Sequence, residues 1–388
     1  MKRTKIGLVL GLIVSMGVIT SPSWAIAPQP TADQVVITFP TYGDMREDGT
    51  LGGAVGVVMH LRDATSATGL TYTQSWATCT TDADGDCSFT IPVSEASTLA
   101  SKVGVVVDSD EWVDSQLMGT LLSLDYNTGG TVYHPTELDS LVLERVNPVL
   151  PEDCGTNGLN VAFVADLSGS MEGLGITTLK TALDDYVDAL TGTKSQIALF
   201  TFNQVSPAAG SMNVNRPLTS VQDQAGADQV KQWINGWVPG GDTSWGQGLY
   251  KVATAGSKFD LVIVITDGES PDSTNFTTAA NTIKAMGTRI LVIGAGSDLV
   301  ENNLQYVSGP ISDSKDIKDD DYFVSDWDEV NSLLNSLATS ICPSLTKVVT
   351  PPAPTASTPA PVATAPTPVA TTSAPPKAIS TGGRVQGH

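Results

Sequence analysis

Two apolar runs that each lead into an aspartate constrain the fold of this chain most. Leu159–Ala165, in which Asn160 is the one polar residue, is followed directly by Asp166, and Leu261–Ile265 is followed by Thr266 and Asp267. Apolar runs of this length are typical of parallel strands that helices cover on both faces. The carboxyl ends of neighbouring parallel strands meet at one edge of a sheet. If these two strands are neighbours, we expect the two carboxylates to lie close together at that edge.

Residues 155–342 alternate continuous apolar runs with segments whose apolar residues recur at helical spacing. This alternation predicts an α/β domain with a mostly parallel sheet covered by helices. The further predicted strands are Ile197–Phe202, Arg289–Ile293 and Tyr322–Val324. The predicted helices are Thr177–Leu190, Gln222–Trp233, Gly246–Ala255, Thr274–Met286 and Trp327–Ile341.

Residues 31–150 have a different pattern, with short alternating apolar runs separated by Gly, Asp, Ser and Pro. The predicted strands are Val35–Phe39, Ala54–Leu61, Leu70–Trp76, Cys87–Ile91, Lys102–Val107 and Leu138–Leu143. Regularly spaced short strands indicate an all-β sandwich. The stretch Gly49 to Pro92 resembles the Cna B-type or prealbumin-like repeats of bacterial surface proteins, through Gly52-Gly53-Ala54-Val55 and Thr81-Asp82-Ala83-Asp84-Gly85.

The two ends of the chain have compositions of their own. Residues 1–27 combine basic residues, an apolar run and small residues near Ala25 and Ala27, which is typical of a secretory signal peptide cleaved near residues 25–27. Residues 349–388 repeat Pro, Ala, Thr and Ser, which predicts a disordered stalk or tail with polyproline II character. We therefore expect a secreted or surface-displayed protein with no membrane span in its mature chain.

Four cysteines are present: Cys79, Cys87, Cys154 and Cys342. An even number in an extracytoplasmic protein predicts disulfides, and four cysteines permit three pairings. Cys79 and Cys87 bracket one tight turn, which favours Cys79–Cys87 and leaves Cys154–Cys342 as the second bond.

Oxygen-bearing side chains occur at three separate chain positions. Asp166, Ser168 and Ser170 form an Asp-x-Ser-x-Ser run, Thr243 lies in a Gly-rich loop, and Asp267 follows the second apolar run. Hard oxygen ligands with few carboxylates suit Mg²⁺, with Mn²⁺ or Ca²⁺ as alternatives. Because such an ion keeps some of its waters, a carboxylate of another molecule could replace one of them.

These residues resemble the metal-ion-dependent adhesion site of von Willebrand factor type A domains, and the resemblance covers the whole of residues 155–342. It implies a Rossmann-like fold in which Asp166, Ser168, Ser170 and Thr243 surround the metal and Asp267 often acts through water. A slip of one residue would put Ser244 in the place of Thr243, although the spacing to Gly248-Leu249 favours Thr243.

The net charge and the small number of histidines argue against several classes of function. The net charge of −21 argues against nucleic acid or an anionic membrane surface as a partner. Only three histidines exist, and no Ser/His/Asp arrangement is evident, so we expect no enzyme activity. The acidic run Asp319-Asp320-Asp321 is interpreted as a solvated loop.

The expected function is adhesion or binding at a bacterial cell surface, through a protein partner that supplies an Asp or Glu carboxylate to the cation. The alternative is a structural or assembly protein, such as a pilus-associated subunit or an extracytoplasmic scaffold, whose metal site docks a sister subunit.

Overall fold

In a computed structural model of the chain, residues 27–66, 69–113, 128–133, 141–150, 157–268, 270–296, 299–314 and 316–341 are described. They form a strand-rich N-terminal region up to residue 150 and an α/β region from residue 157. The predicted tail, and the predicted signal peptide apart from Ala27, lie outside the described residues. Cys154 and Cys342 also lie outside them, so that pairing stays a prediction.

Strand β1 organises the N-terminal region, because it pairs antiparallel with β2 and β5 and parallel with β8 and β9. A second sheet has the order β4-β3-β6, and β7 pairs with β10. The two larger sheets share one core, in which Ile37 and Phe89 from the first meet Met59 and Leu61 from the second. The elements are β1 (Gln34–Met45), β2 (Leu51–Gly53), β3 (Val58–Asp63), β4 (Thr78–Thr80), β5 (Asp86–Pro92), α1 (Val93–Ala96), β6 (Val103–Asp108), β7 (Trp112–Val113), β8 (Thr131–Tyr133), β9 (Leu141–Val142) and β10 (Glu144–Arg145).

Two of the strand predictions in this region need correction. Leu70–Trp76 is not a strand: its described secondary structure consists of a single bridge from Thr71 to Arg62 and a 3₁₀ turn that starts at Ser75. The predicted strand Ala54–Leu61 begins only at Val58. Gly56 interrupts the extended run with φ +75°, a conformation that glycine adopts readily and that ends a strand.

The α/β region is built on one six-stranded sheet in the order β13-β12-β11-β14-β15-β16. All neighbours pair in parallel except β12 and β13, which are antiparallel. The prediction of a mostly parallel sheet is therefore confirmed. Its strands are β11 (Asn160–Asp166), β12 (Gln196–Phe202), β13 (Arg216–Ser220), β14 (Leu261–Thr266), β15 (Arg289–Ala295) and β16 (Tyr322–Ser325).

Helices cover both faces of this sheet. Val161 and Phe163 of β11 pack with α2, α3 and α7, whereas Ala162 and Val164 pack with α4, α5 and α6. This alternation explains why β11 is apolar at every position from Val161 to Ala165. The helices are α2 (Leu174–Leu190), α3 (Gln224–Asn235), α4 (Trp245–Ala253), α5 (Ser273–Ala285), α6 (Glu301–Ser308) and α7 (Trp327–Ile341).

Two elements of the sheet region, β13 and α6, are absent from the predictions. β13 is an edge strand with no fully buried residue and with Pro217 inside it, so its sequence has no apolar signature. α6 is mainly polar, and its buried residues include Asn303 and Ser308 beside Leu304 and Val307.

The N-terminal region packs directly on helix α5. Asn281 is fully buried there, and its side-chain amide donates to the carbonyls of Gly43 (2.8 Å) and Leu143 (2.6 Å). The Asn281 carbonyl oxygen accepts from the Arg145 backbone N–H (2.7 Å). One helical side chain therefore satisfies three backbone groups from two separate segments of the N-terminal region.

The segment after β10 is held against the sheet by polar contacts. Asn147 donates to the carbonyl of Ile290 (2.7 Å) and to Asp321 Oδ1 (2.7 Å), and Arg289 forms an ion pair with Asp321 (3.2 Å). Asp320 and Asp321 are 4% and 3% exposed, so the interpretation of this acidic run as a solvated loop is wrong for both. They are retained inside because Arg289 and backbone N–H groups neutralise or bind their carboxylates.

Two features concern the compartment. The structure contains the expected disulfide Cys79–Cys87, with Cα atoms 5.7 Å apart. None of the helices in the described ranges combines the length and the hydropathy that crossing a bilayer requires.

Candidate metal centre

The two strand-end aspartates lie on neighbouring strands. Asp166 is the last residue of β11, and Asp267 follows the last residue of β14, Thr266. β11 and β14 pair in parallel, with Ala165 opposite Ile265. The sheet order reverses between these strands, since β12 lies on one side of β11 and β14 on the other. Ligand sites of open parallel sheets form at such a reversal.

Asp166 is fully buried and held by hydrogen bonds from Ser168 and Thr266. The Ser168 backbone N–H donates to Oδ1 (2.8 Å), and the Thr266 hydroxyl donates to Oδ2 (2.6 Å). Burial raises the pKa of Asp166 to about 6, and the negative charge of Asp267 adds to this rise, while the hydrogen bonds from Thr266 and from the side chain and backbone of Ser168 oppose it. None of the groups that shift this pKa is a basic side chain. A buried carboxylate without a basic partner suits a bound cation.

Two serine hydroxyls connect Asp166 to Asp267. The hydroxyls of Ser168 and Ser170 are 2.9 Å apart, and the Ser170 hydroxyl donates to Asp267 Oδ1 (2.8 Å). Ser168 is 1% exposed and Asp267 is 9% exposed, so these groups line the floor of the site. The structure thus brings together the two serines and the second aspartate.

Thr243 reaches the same place from the Gly-rich loop. A methyl group built on Gly268 would lie 3.7 Å from the Thr243 hydroxyl and 3.9 Å from the Ser170 hydroxyl. The absence of a side chain at Gly268 therefore leaves both oxygens uncovered. All five sequence-predicted residues lie at this edge, and the hydroxyl of Thr243, not that of Ser244, lies within 4 Å of the position that such a methyl group would take.

Backbone contacts fix the Gly-rich loop against the Asp-x-Ser-x-Ser loop. The Gly169 N–H donates to the Gly241 carbonyl (2.8 Å), and the Gly240 N–H donates to the Leu167 carbonyl (2.8 Å). Gly241 has φ +89°, and a Cβ there would collide with the carboxamide oxygen of Gln204. Glycine is favoured at this position mainly because its backbone has a positive φ, which side-chain-bearing residues rarely adopt.

Three residues that support the site were missed in the sequence. Thr266 orients Asp166, the Asn203 side chain donates to the Gly240 carbonyl (2.6 Å), and Gln204 accepts from the Asp242 N–H (3.0 Å). Asn203 could have been found, because it follows the last residue of β12 just as Asp267 follows β14. The roles of Thr266 and Gln204 depend on contacts between distant segments.

The donor set fits a hard divalent cation. It offers two carboxylates and three hydroxyls, and no nitrogen or sulfur. In the described part of the chain, no group of three or more His, Cys, Asp or Glu side chains is arranged to hold a metal. Any metal bound at this edge therefore depends on the serine and threonine hydroxyls as well as on the carboxylates.

A comparison with protein families matches residues 160–336 to the model of the von Willebrand factor type A domain. The match covers all six strands of the α/β sheet and most of α7. No curated protein matches the chain.

The solved structures that match the chain include proteins from three different organisms. Proximal thread matrix protein 1 from the mussel byssus, solved with a zinc-occupied MIDAS motif, is 20% identical over 49% of this chain and 47% of its own, with a TM-score of 0.39. The pilus adhesin SpaC from Lactobacillus rhamnosus GG is 14% identical over 61% and 39%, with a TM-score of 0.38. The manganese-loaded TRAP protein of Plasmodium vivax is 20% identical over 49% and 75%, with a TM-score of 0.34.

This chain spans about half the length of the mussel protein. At these identities and TM-scores the three matches carry no information about what this chain binds.

Proposed function

Residues 160–336 form a von Willebrand factor type A domain, and from this premise we propose that the chain is an adhesion or binding protein that captures a partner's carboxylate through a divalent cation. The observation that carries the proposal is the convergence of Asp166, Ser168, Ser170, Thr243 and Asp267 at one sheet edge. We propose Mg²⁺ as the cation, because hard oxygen ligands with only two carboxylates suit it.

In the proposed site, each residue has a separate task. Asp166 and Asp267 supply negative charge, while Ser168, Ser170 and Thr243 supply neutral oxygens. When bound, the cation would act as an electrophilic centre for a carboxylate oxygen. Thr266 holds Asp166 in one orientation, and the open space above Gly268 leaves the hydroxyls accessible to the ion.

We propose that this edge binds and does not catalyse. A hydrolytic or transfer site needs a group that takes up or gives a proton near the reacting atoms. Of the three histidines, His60 is described, and it lies on β3 with contacts to Thr78 and Asp108 in the N-terminal region. The site itself supplies two carboxylates whose geometry suits a cation.

We also propose an extracytoplasmic location. The signal-like pattern of residues 1–27 supports it. The disulfide Cys79–Cys87 supports it independently, because structural disulfides persist mainly in oxidising compartments.

Replacement of the buried carboxylate tests the proposal. Asp166→Asn preserves the size of the side chain but removes its charge, and we expect Mg²⁺ affinity to fall about 100-fold or more in isothermal titration calorimetry. The matched control is Asp260→Asn, since Asp260 lies just before β14, at the opposite end of the sheet, and accepts from the Asn160 N–H (2.8 Å). In EDTA, Asp166→Asn is expected to be as stable as wild type or more so, because it removes a buried charge.

A binding assay completes the test. Wild type, Asp166→Asn and Asp260→Asn are compared for retention on extracellular matrix and on the producer's own envelope, with Mg²⁺ and with EDTA. Retention that disappears with EDTA and with Asp166→Asn supports the proposal, and the surface that retains the protein separates adhesion from assembly. Equal Mg²⁺ affinity in wild type and Asp166→Asn would refute it.

A further inference from the structure

Three large apolar side chains are exposed beside the metal centre. Val205, Met212 and Val238 are 44%, 55% and 58% exposed, and they are called the apolar rim below. They lie on two loops, one after β12 and one after α3. Exposed apolar area of this kind loses contact with water when a partner covers it, which favours association.

The loops that carry the apolar rim are internally braced. The buried Asn213 side chain donates to the carbonyls of Ala209 (2.8 Å) and Val238 (2.7 Å) and accepts from the Val238 N–H (2.9 Å). The buried Asn203 accepts from the Val205 N–H (3.2 Å). The apolar side chains therefore point outward from a framework that buried amides hold in place. A preordered surface loses little conformational entropy on binding.

The apolar rim is continuous with the metal centre. The Leu167 N–H, next to Asp166, donates to the Phe202 carbonyl (2.7 Å). Asn203 donates to the carbonyl of Gly240 (2.6 Å), two residues after Val238. The loops that carry the apolar rim therefore border the candidate metal centre on the β12 side.

The same edge is strongly acidic. The loops at this end of the sheet are called the metal edge below, and their described residues are 166–173, 203–215, 236–244, 267–268, 270–272, 296, 299–300 and 325–327. Six of these described residues are acidic, and none is Lys, Arg or His. Glu172, Asp242, Asp272 and Asp326 are exposed. A single divalent cation therefore leaves the metal edge net negative.

A described basic side chain does contact the metal edge from α2. The Lys180 ammonium donates to the carbonyls of Asn235 (3.0 Å) and Trp237 (2.8 Å), so it is engaged with the backbone beneath the loop. Because Lys180 binds these carbonyls, the exposed carboxylates of the metal edge stay available to a partner.

We propose that the partner presents its metal-binding carboxylate from a segment that also carries basic residues and a large apolar side chain. The inference rests on the proposed function and adds the chemistry of the partner. A carboxylate alone would be repelled by the acidic edge, whereas flanking Lys or Arg residues would be attracted to Glu172 and Asp242. The apolar side chain of the partner would cover the apolar rim.

A random 12-residue peptide display library tests the proposal without a known ligand. Peptides are selected on the full chain in Mg²⁺ and eluted with EDTA, and the same selection is run on Asp166→Asn. The expected EDTA-eluted peptides carry Asp or Glu with Lys or Arg and a large apolar residue nearby. Wild type is expected to yield this class and Asp166→Asn is not.

Two failures of this selection are distinguishable. If no peptide depends on Mg²⁺ and Asp166, the proposed function fails, and the inference fails with it. If Mg²⁺-dependent acidic peptides are recovered without enrichment of basic and apolar residues, the proposed function stands and only the inference is overturned.

Point variants measure the two contributions on a selected peptide. Asp242→Asn is expected to weaken binding, because it removes an attraction for the basic residues, and added salt should weaken wild-type binding as well. If the partner has no basic residues, Asp242→Asn is instead expected to strengthen peptide binding, because it removes a repulsion of the partner's carboxylate. Met212→Ser and Val238→Ser are each expected to weaken binding about 5- to 10-fold, by loss of apolar contact, with unchanged Mg²⁺ affinity.

Matched controls lie in the N-terminal region. Leu70 is 82% exposed and Asp110 is exposed, so Leu70→Ser and Asp110→Asn make the same chemical changes away from the loops of the metal edge. Both are expected to leave peptide binding unchanged. Equal effects of the rim variants and these controls would overturn the role of the apolar rim.

Discussion

At the scale of single residues, the proposed metal centre depends on how a buried carboxylate is oriented. Asp166 is fully buried, and the Thr266 hydroxyl donates to its Oδ2 at 2.6 Å. This contact links the ends of two neighbouring strands, so it holds Asp166 through the rigidity of the sheet. Side chains that bind a metal ligand in this way typically affect metal affinity by about 10- to 100-fold.

Thr266→Val is expected to lower Mg²⁺ affinity about 10-fold, because valine has the shape of threonine but cannot donate to Asp166. Isothermal titration calorimetry measures the effect. The matched control is Thr288→Val, since Thr288 is also buried and donates to a carbonyl, that of Phe259 (2.7 Å), before β15. Both variants should lose comparable stability, and only Thr266→Val should lose Mg²⁺ affinity. Equal Mg²⁺ affinities would show that Thr266 has only a structural role.

The predictability of individual residues from the sequence was uneven. The five oxygen-bearing residues were found because each belongs to a local pattern next to a strand end or inside a Gly-rich loop. Thr266 and Gln204 have no such pattern, since their roles come from contacts with residues 100 and 38 positions away. Buried Asp320 and Asp321 were misread for the same reason, because their partner Arg289 is distant in sequence.

At the scale of elements, helix α4 anchors the end of the Gly-rich loop by packing against the sheet. It begins at Trp245, just after Thr243, and packs on β11 and β12. A Cβ on Gly248 would lie 2.7 Å from Phe202 Cδ1 and 2.9 Å from Val164 Cγ1. Glycine at this position therefore lets the helix approach the sheet closely, and the approach positions Thr243.

Gly248→Ala is expected to destabilise the protein by about 1–3 kcal/mol, because the added methyl group overpacks the contact with Phe202 and Val164. Helix propensity alone predicts the opposite change in stability, since alanine in an exposed helix is favoured over glycine by about 1 kcal/mol. Thermal or urea denaturation measures the change. Gln247→Ala, on the exposed face of the same helix, should stay within about 0.5 kcal/mol of wild type. A stabilised Gly248→Ala variant would contradict the close packing.

Element boundaries followed the strength of the sequence pattern. α7 has the predicted bounds, and β11, β12, β14 and β15 were each found within two residues of their ends. β13 and α6 were missed because they are edge or polar elements without a regular apolar pattern. In the N-terminal region, the predicted strand over Leu70–Trp76 failed although its residues alternate, because only Thr71 bridges to β3 and the chain enters a 3₁₀ turn at Ser75.

At the scale of the whole molecule, buried charges lie between the N-terminal region and α5. Lys284 of α5 is 3% exposed and donates to the Arg145 carbonyl (3.1 Å), and Glu144 of β10 is 5% exposed. Burial lowers the pKa of Lys284 to about 8, while the negative charges of Glu144 and Asp321 oppose this and the positive charge of Arg289 adds to it. Burial therefore favours the neutral form of Lys284, whereas the negative charge of Glu144 favours its protonated form.

This shift has a defined sign in the pH dependence of stability. The unfolded chain keeps Lys284 protonated up to its ordinary pKa of 10.5, whereas the folded chain releases the proton near pH 8. Between these values the unfolded state binds more protons, so the contribution of Lys284 to the unfolding free energy rises with pH.

Glu144→Gln is expected to lower the unfolding free energy by about 3–5 kcal/mol near pH 7, because it leaves a buried ammonium without this opposite charge. Near pH 9.5 the loss should shrink, since Lys284 is then neutral in the folded protein. Urea denaturation at both pH values measures the difference. Glu329→Gln, at an exposed position of α7, serves as the control. A loss that stays constant with pH would argue against coupling between Glu144 and Lys284.

The sequence by itself determined the parallel α/β sheet, the order of its main elements and the five oxygen-bearing residues. Strands that are buried on both faces have continuous apolar runs in the sequence. Residues that line a site at the strand ends are polar and follow directly after those runs. Both signals are local, so they can be read without knowledge of the contacts.

Only the tertiary structure decided which residues brace that site and how the N-terminal region is attached. Asn281 satisfies backbone groups of Gly43, Leu143 and Arg145, and the apolar rim lies on two loops of the acidic metal edge. These arrangements depend on pairings between segments far apart in sequence. Pairings of that kind follow from the packing of complete elements and leave no periodic pattern along the chain.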